Sequence, residues 1–178
     1  MENKLIVLFP GINYSCDCPF LYYGGFKYEV KDYKKKCITY NLKDDEKPSY
    51  EKYIESIKKD VLSQLEHVDF SAYTDIVFLS KSIGTVIACW AQDKLDLKVK
   101  HIFLTPIDKT LPYIKKSRNI SWVISGTKDK KVDLQKLKSI CKDESVKTHI
   151  INGVGHRLEK FDDMKNNINI LKEVIEII

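Results

Sequence analysis

The stretch Asp75-Ile76-Val77-Phe78-Leu79-Ser80-Lys81-Ser82-Ile83-Gly84 decides how the rest of the chain is read. Ile76 to Leu79 form a strand-length apolar run of β-favouring residues. Directly behind it, Ile83, Val86, Ile87, Trp90 and Ala91 recur at helical spacing over residues 83–94. A strand therefore turns into a helix within five residues. A serine at the apex of so sharp a turn needs small neighbours two positions to either side, because larger side chains would collide across it. Ser80 and Gly84 meet that need. The turn lifts the Ser82 hydroxyl above the strand end. It also sets the Ile83 amide at a helix N-terminus, where it can donate to a developing oxyanion. In an ordinary strand-to-helix turn, Ser82 would instead serve only as an N-cap.

Moving outward, the same alternation repeats. Residues 4–9 are an apolar run stopped by Pro10-Gly11, which predicts a buried first strand and a turn. Residues 36–42 are a second strand candidate. Residues 50–67 carry Tyr50, Tyr53, Ile54, Ile57, Val61, Leu62 and Leu65 at helical spacing, entered through Pro48-Ser49. Beyond the decisive stretch, further strands are predicted over 100–105, 120–125 and 146–151. Helices are predicted over 134–141 and 161–177. This order implies an α/β fold: a single domain over residues 1–178, in three layers around a mostly parallel sheet of about six strands. In such sheets ligands bind beyond the carboxyl ends of the strands, at a topological switch point.

The composition agrees with a globular chain. Hydrophobic residues make up 43% and charged residues 31%, which argues against global disorder. No apolar run approaches the roughly 18–20 residues that span a bilayer, and no signal-type apolar core follows the N-terminus. The expectation is a cytoplasmic protein without a membrane partner. Cys16, Cys18, Cys37, Cys89 and Cys141 are odd in number, and none pairs at zinc-ligand spacing. They are expected as free thiols, with no metal. The net charge is +5, but Arg118 and Arg157 are the only arginines and the lysines are scattered among acids. That pattern fits solubility better than a nucleic-acid surface.

Ser82 requires a base. His156 lies in the turn-rich segment Gly153-Val154-Gly155-His156-Arg157 just after the last predicted strand, whereas His67 ends a helix and His101 and His149 lie inside strands. An imidazole in that loop can reach the sheet edge and take the Ser82 proton. The base requires an orienting carboxylate. Asp129, in Ser125-Gly126-Thr127-Lys128-Asp129, follows the penultimate strand, with Asp108 as the rival and Asp133 behind it. A solvated turn residue is the plain alternative for Asp129.

The order Ser82, Asp129, His156, each just beyond a strand, resembles the α/β-hydrolase superfamily over nearly the whole chain. The pentapeptide departs from Gly-x-Ser-x-Gly in carrying Ser80 for the first glycine. The likeness is to small, compact bacterial members of mostly unassigned function. It implies a serine hydrolase acting on a small carboxylic ester or thioester through an acyl-enzyme, with no cofactor. A noncatalytic binding module on the same fold is the alternative. It also implies a second oxyanion amide from the loop Phe9-Pro10-Gly11-Ile12-Asn13-Tyr14, by position that of Ile12. Gly11, Tyr14, Thr105 and Ile107 are the expected substrate-side residues. Phe20, Leu21, Tyr22 and Tyr23 are either a further wall or a helix packed on the sheet. The two antiparallel strands that usually open this fold have no counterpart before Lys4. The short stretch between Thr105 and Asn119 leaves no room for a lid domain. The expected partner is a small acyl substrate. Monomer and homodimer are both open, as is the role of Lys81 beside the nucleophile.

Overall fold

The structure is a computed structural model, and it describes residues 3–41, 50–115 and 117–178. Six strands, β1 (Lys4–Phe9), β2 (Tyr33–Cys37), β3 (Asp75–Lys81), β4 (Lys100–Leu104), β5 (Ile120–Gly126) and β6 (Thr148–Ile151), form one sheet in the order β2-β1-β3-β4-β5-β6. Every pairing is parallel. Helices α1 (Pro19–Glu29), α2 (Tyr50–Leu65), α3 (Ile83–Leu95) and α4 (Leu134–Asp143) make four of the crossovers, a short 3-10 helix (Asp108–Tyr113) lies in the one between β4 and β5, and α5 (Met164–Ile177) follows β6; together the helices cover both faces. Strand order reverses between β1 and β3, so the switch point lies between the turn after β1 and the turn after β3.

The layers follow from the two-residue period of the strands. Ile6, Leu8, Val77, Leu79, Ile102 and Ile124 point to one face, where Phe20, Leu21, Ile170 and Val174 of α1 and α5 cover them. Leu5, Val7, Phe9, Ile76 and Phe78 point to the other, against Ile54, Ile57 and Val61 of α2 and Ile87 and Ala91 of α3. Phe103 and Val123 continue that second layer under Leu137 and Cys141 of α4. Among the described residues no helix is long and apolar enough to cross a membrane.

Several boundaries differ from expectation. The second strand is Tyr33–Cys37 rather than residues 36–42, because it pairs with β1 in a register that begins at Lys4↔Tyr33. Leu42 and the predicted helix entry Pro48-Ser49 lie outside the described residues. The last strand begins at Thr148, since the Val146 amide is still bonded to the Cys141 carbonyl at the end of α4. The last helix begins at Met164, where the Asp163 carboxylate caps the Asn166 amide. Phe161 precedes it and is 94% exposed. Phe20 and Leu21 are buried within α1, so they belong to the core and not to a wall of the site.

Candidate active site

The turn after β3 is built as its composition demands. Ser82 carries φ 57° and ψ −124°, a conformation non-glycine residues rarely adopt. It is held there by bonds on both sides: its amide donates to the Leu104 carbonyl at 3.0 Å, and its carbonyl accepts from the Thr85 hydroxyl at 2.7 Å and the Thr85 amide at 3.0 Å. The Thr85 hydroxyl is in turn 2.6 Å from that of Thr110, both buried. Such strain persists only where the surroundings over-determine it. Gly84 lets the turn approach the loop after β1, since a Cβ there would stand 2.4 Å from the Phe9 and Pro10 carbonyl oxygens.

The Ser82 hydroxyl is 2.7 Å from His156 Nε2. On the other side of the ring, His156 Nδ1 is 2.8 Å and 3.0 Å from the two Asp129 carboxylate oxygens. An ionised carboxylate only accepts, so Nδ1 carries the ring proton and donates it to Asp129. Nε2 is then an acceptor for the Ser82 O–H. The Asp129 side chain is fully buried, and its Oδ1 also accepts from the Lys131 amide at 2.8 Å.

The rival positions are occupied elsewhere. Asp108 accepts from the Asp133 amide at 2.8 Å, and Asp133 caps α4. His67 is exposed beside Glu66, and His149 meets Glu173 at 2.7 Å. His101 is buried with Nε2 2.8 Å from Gln92 Oε1.

The two amides expected to receive an oxyanion belong to the turns after β1 and β3. Ile83 opens α3, where the first amides have no carbonyl one turn back. Ile12 sits at the tip of a tight turn closed by Gly11 and Tyr14, whose amides donate to each other's carbonyls at 3.0 Å and 3.4 Å. Among the described residues neither amide is bonded to a backbone acceptor. Gly11 lies against the serine, for a Cβ on it would be 3.2 Å from Ser82 Cβ. A cavity of about 510 Å³ opens alongside this turn, lined by Gly11, Tyr14, Cys16, Cys18, Cys37 and Tyr40 among others. The Tyr14 phenol is fixed by accepting from the Phe20 amide at 3.1 Å, and its burial pushes its pKa up.

Thr105, expected on the substrate side, directly follows β4. It is fully buried, and its hydroxyl accepts from Lys81 Nζ at 2.8 Å. Ile107 is partly buried against the α3 side of the core. Lys81, undecided from the chain alone, is buried on the α1 face of the sheet, and burial lowers its pKa to about 7 against the opposing pull of Asp129. Its alternation with Leu79 along β3 is the signal that would have placed it inside.

No protein-family model matches the chain. No curated protein matches it either. Solved structures do. An alpha-beta serine hydrolase homologue from Coxiella burnetii superposes with a TM-score of 0.63 at 14% identity, covering 99% of this chain and 85% of the other. An esterase from Pyrococcus furiosus gives 0.65 at 12% identity, covering 98% and 81%. The mouse alpha/beta hydrolase domain-containing protein 10 gives 0.59 at 13% identity, covering 99% and 92%. At these identities the likeness is one of architecture: the chain has the α/β-hydrolase fold, in a compact form of 178 residues.

Proposed function

We propose that the protein is a serine hydrolase that cleaves a small carboxylic ester or thioester through an acyl-enzyme on Ser82. The observation that carries this reading is the continuous hydrogen-bonded path from Asp129 through His156 to the Ser82 hydroxyl. It is assembled from residues 27 and 74 positions apart in the chain.

In the mechanism, the Ser82 hydroxyl attacks the acyl carbonyl while its proton passes to His156 Nε2. The ring becomes doubly protonated, and the buried Asp129 carboxylate stabilises that cation without taking its proton. The oxyanion forms between the Ile83 and Ile12 amides, which need no reorganisation to receive it. His156 then gives its proton to the leaving alcohol or thiol. Water enters, loses a proton to Nε2 and attacks the acyl carbon; His156 returns that proton to the Ser82 oxygen as the acid leaves, restoring the free hydroxyl and the neutral ring. The strained φ of Ser82 keeps the hydroxyl clear of its own helix and in line with the ring. The esterase and serine hydrolase descriptions of structural neighbours support the same chemistry.

A fluorophosphonate probe tests the proposal. Wild type should label at Ser82, and Ser82→Ala and His156→Ala should not. A panel of short- and medium-chain esters and thioesters then gives the acyl preference. A folded wild type that takes no probe and turns over no ester overturns the proposal in favour of a noncatalytic binding module.

A further inference from the structure

We propose that Lys81 is a positioning residue that holds the backbone of His156 at the height the proton path requires, acting as a buried strut from β3 to Thr105 and the His156 loop. The inference rests on the hydrolase reading above and deepens it.

Lys81 is the residue before the nucleophile, yet its side chain turns to the opposite side of the strand end. It is 1% exposed. Its Nζ donates to the Thr105 hydroxyl at 2.8 Å and to the His156 carbonyl oxygen at 3.0 Å. The remaining direction is closed by the Tyr14 ring, whose centroid is 4.7 Å away, with the Phe20 ring at 6.0 Å. Among the described residues no carboxylate stands within salt-bridge distance of it.

A buried amine without a paired carboxylate is an expensive way to fill space, and a methionine of similar length would fill it without that cost. What the amine adds is connection. Ser82 is fixed at the end of β3, and His156 arrives 74 residues later on the loop after β6. One side chain adjacent to the nucleophile grips the base's own carbonyl, so a displacement of the β3 end carries the base with it. Thr105 anchors the third corner. It holds φ 44° at the end of β4, and its amide donates to the Ile124 carbonyl of β5 at 2.7 Å. The strut thus joins the ends of β3 and β4 to the loop after β6. Its acceptors are a hydroxyl and a peptide carbonyl, which both the ammonium and the neutral amine can satisfy.

The test compares Lys81→Met, Thr105→Val and Thr105→Ser with wild type, using p-nitrophenyl acetate and the downfield imidazole N–H resonance of His156. Lys81→Met should melt no lower than wild type, since an amine has been replaced by a packed thioether. Its kcat should nonetheless fall about 100-fold, as a misplacement near 1 Å costs, with KM nearly unchanged. Its N–H resonance should broaden or vanish. Thr105→Val should move in the same direction, and Thr105→Ser, which restores the hydroxyl, should recover turnover. Wild-type kcat and a sharp N–H signal in Lys81→Met overturn the proposal. So does a loss of turnover in both Thr105 variants that simply follows their melting temperatures. If wild type itself hydrolyses nothing, the hydrolase reading fails, and the N–H resonance still decides the strut. Should Lys81→Met not fold, the two Thr105 variants carry the same comparison.

Discussion

Gly126 passes so closely beneath Val154 that a Cβ on it would stand 2.2 Å from the Val154 carbonyl oxygen. The same carbonyl accepts from the Lys128 amide at 2.9 Å, and the Thr127 amide donates to the Ile151 carbonyl at 3.0 Å. Asp129 lies three residues beyond Gly126, and His156 two beyond Val154. This single close approach therefore sets the spacing between Asp129 and His156. Gly126→Ala should cost about 1–3 kcal/mol, because backbone and not a flexible side chain must give way. It should also reduce turnover by more than the lost stability explains. Chemical denaturation beside ester kinetics, under conditions where the variant is fully folded, separates the two effects.

Asp129 and Asp108 are told apart by one substitution each. Asp129→Asn should lower kcat by about 10⁴-fold with the fold intact, since an amide no longer specifies the ring tautomer. Asp108→Asn should leave kcat near wild type and act only on the start of α4, where Asp108 holds the Asp133 amide. Equal losses in both variants would be incompatible with the observed geometry.

Cys37 should be the most readily alkylated thiol near neutral pH. The neighbouring Cys16 thiol lowers its pKa to about 7, while the same proximity and burial push that of Cys16 upward, its own Sγ donating to the Ile38 carbonyl at 3.4 Å. All five cysteines are free, and Cys37 is exposed. Iodoacetamide labelling followed by peptide mapping should show half-maximal rate at Cys37 near pH 7. Cys16→Ala should move that midpoint towards the ordinary thiol value, because the neighbouring thiol is gone.

His101 should make the protein acid-sensitive. Burial, with a smaller contribution from Arg118, lowers its pKa to about 3 from an ordinary 6.5. Between those values the unfolded chain binds a proton that the folded chain refuses, so stability falls as pH falls through that window. The slope from this one group is at most about 1.4 kcal/mol per pH unit. In His101→Phe, whose ring would lie between Phe78 and Phe103, unfolding free energy measured from pH 7 to pH 4 should decline less steeply than in wild type. Parallel slopes would refute the assignment.

The parts that could be read from the chain are those where local chemistry and global fold agree. Residues 5–9 and 76–79 are apolar, and both lie in buried strands. Ser82, Asp129 and His156 each follow a strand end, and the parallel sheet gathers those ends on one side. What could not be read had its signal erased by its surroundings. β2 is an edge strand whose Lys34, Lys35 and Lys36 show no apolar period, because little of it is buried. α1 contains Gly24 and Gly25, poor helix formers. They are needed because a Cβ at Gly24 would lie 2.5 Å from Leu79 and one at Gly25 2.9 Å from Leu8. Lys81, beside the nucleophile in sequence, is undecided from the chain. Only the turn of the strand shows it pointing inward.

Ser82, Asp129 and His156 lie beyond three different strands of an all-parallel sheet, and the last of them follows β6. Parallel pairing closes long loops before its contacts form, which makes it slow. The β1–β3 pairing, Lys4 with Asp75, closes the longest loop in the sheet, whereas β3 to β6 pair over much shorter separations, so a refolding chain can set Ser82, Asp129 and His156 on β3 to β6 before β1 docks. Recovery of turnover should lag amide protection in β4, β5 and β6 and coincide with docking of β1, which brings Gly11 against Ser82, so the chemistry itself reports when the molecule has finished folding.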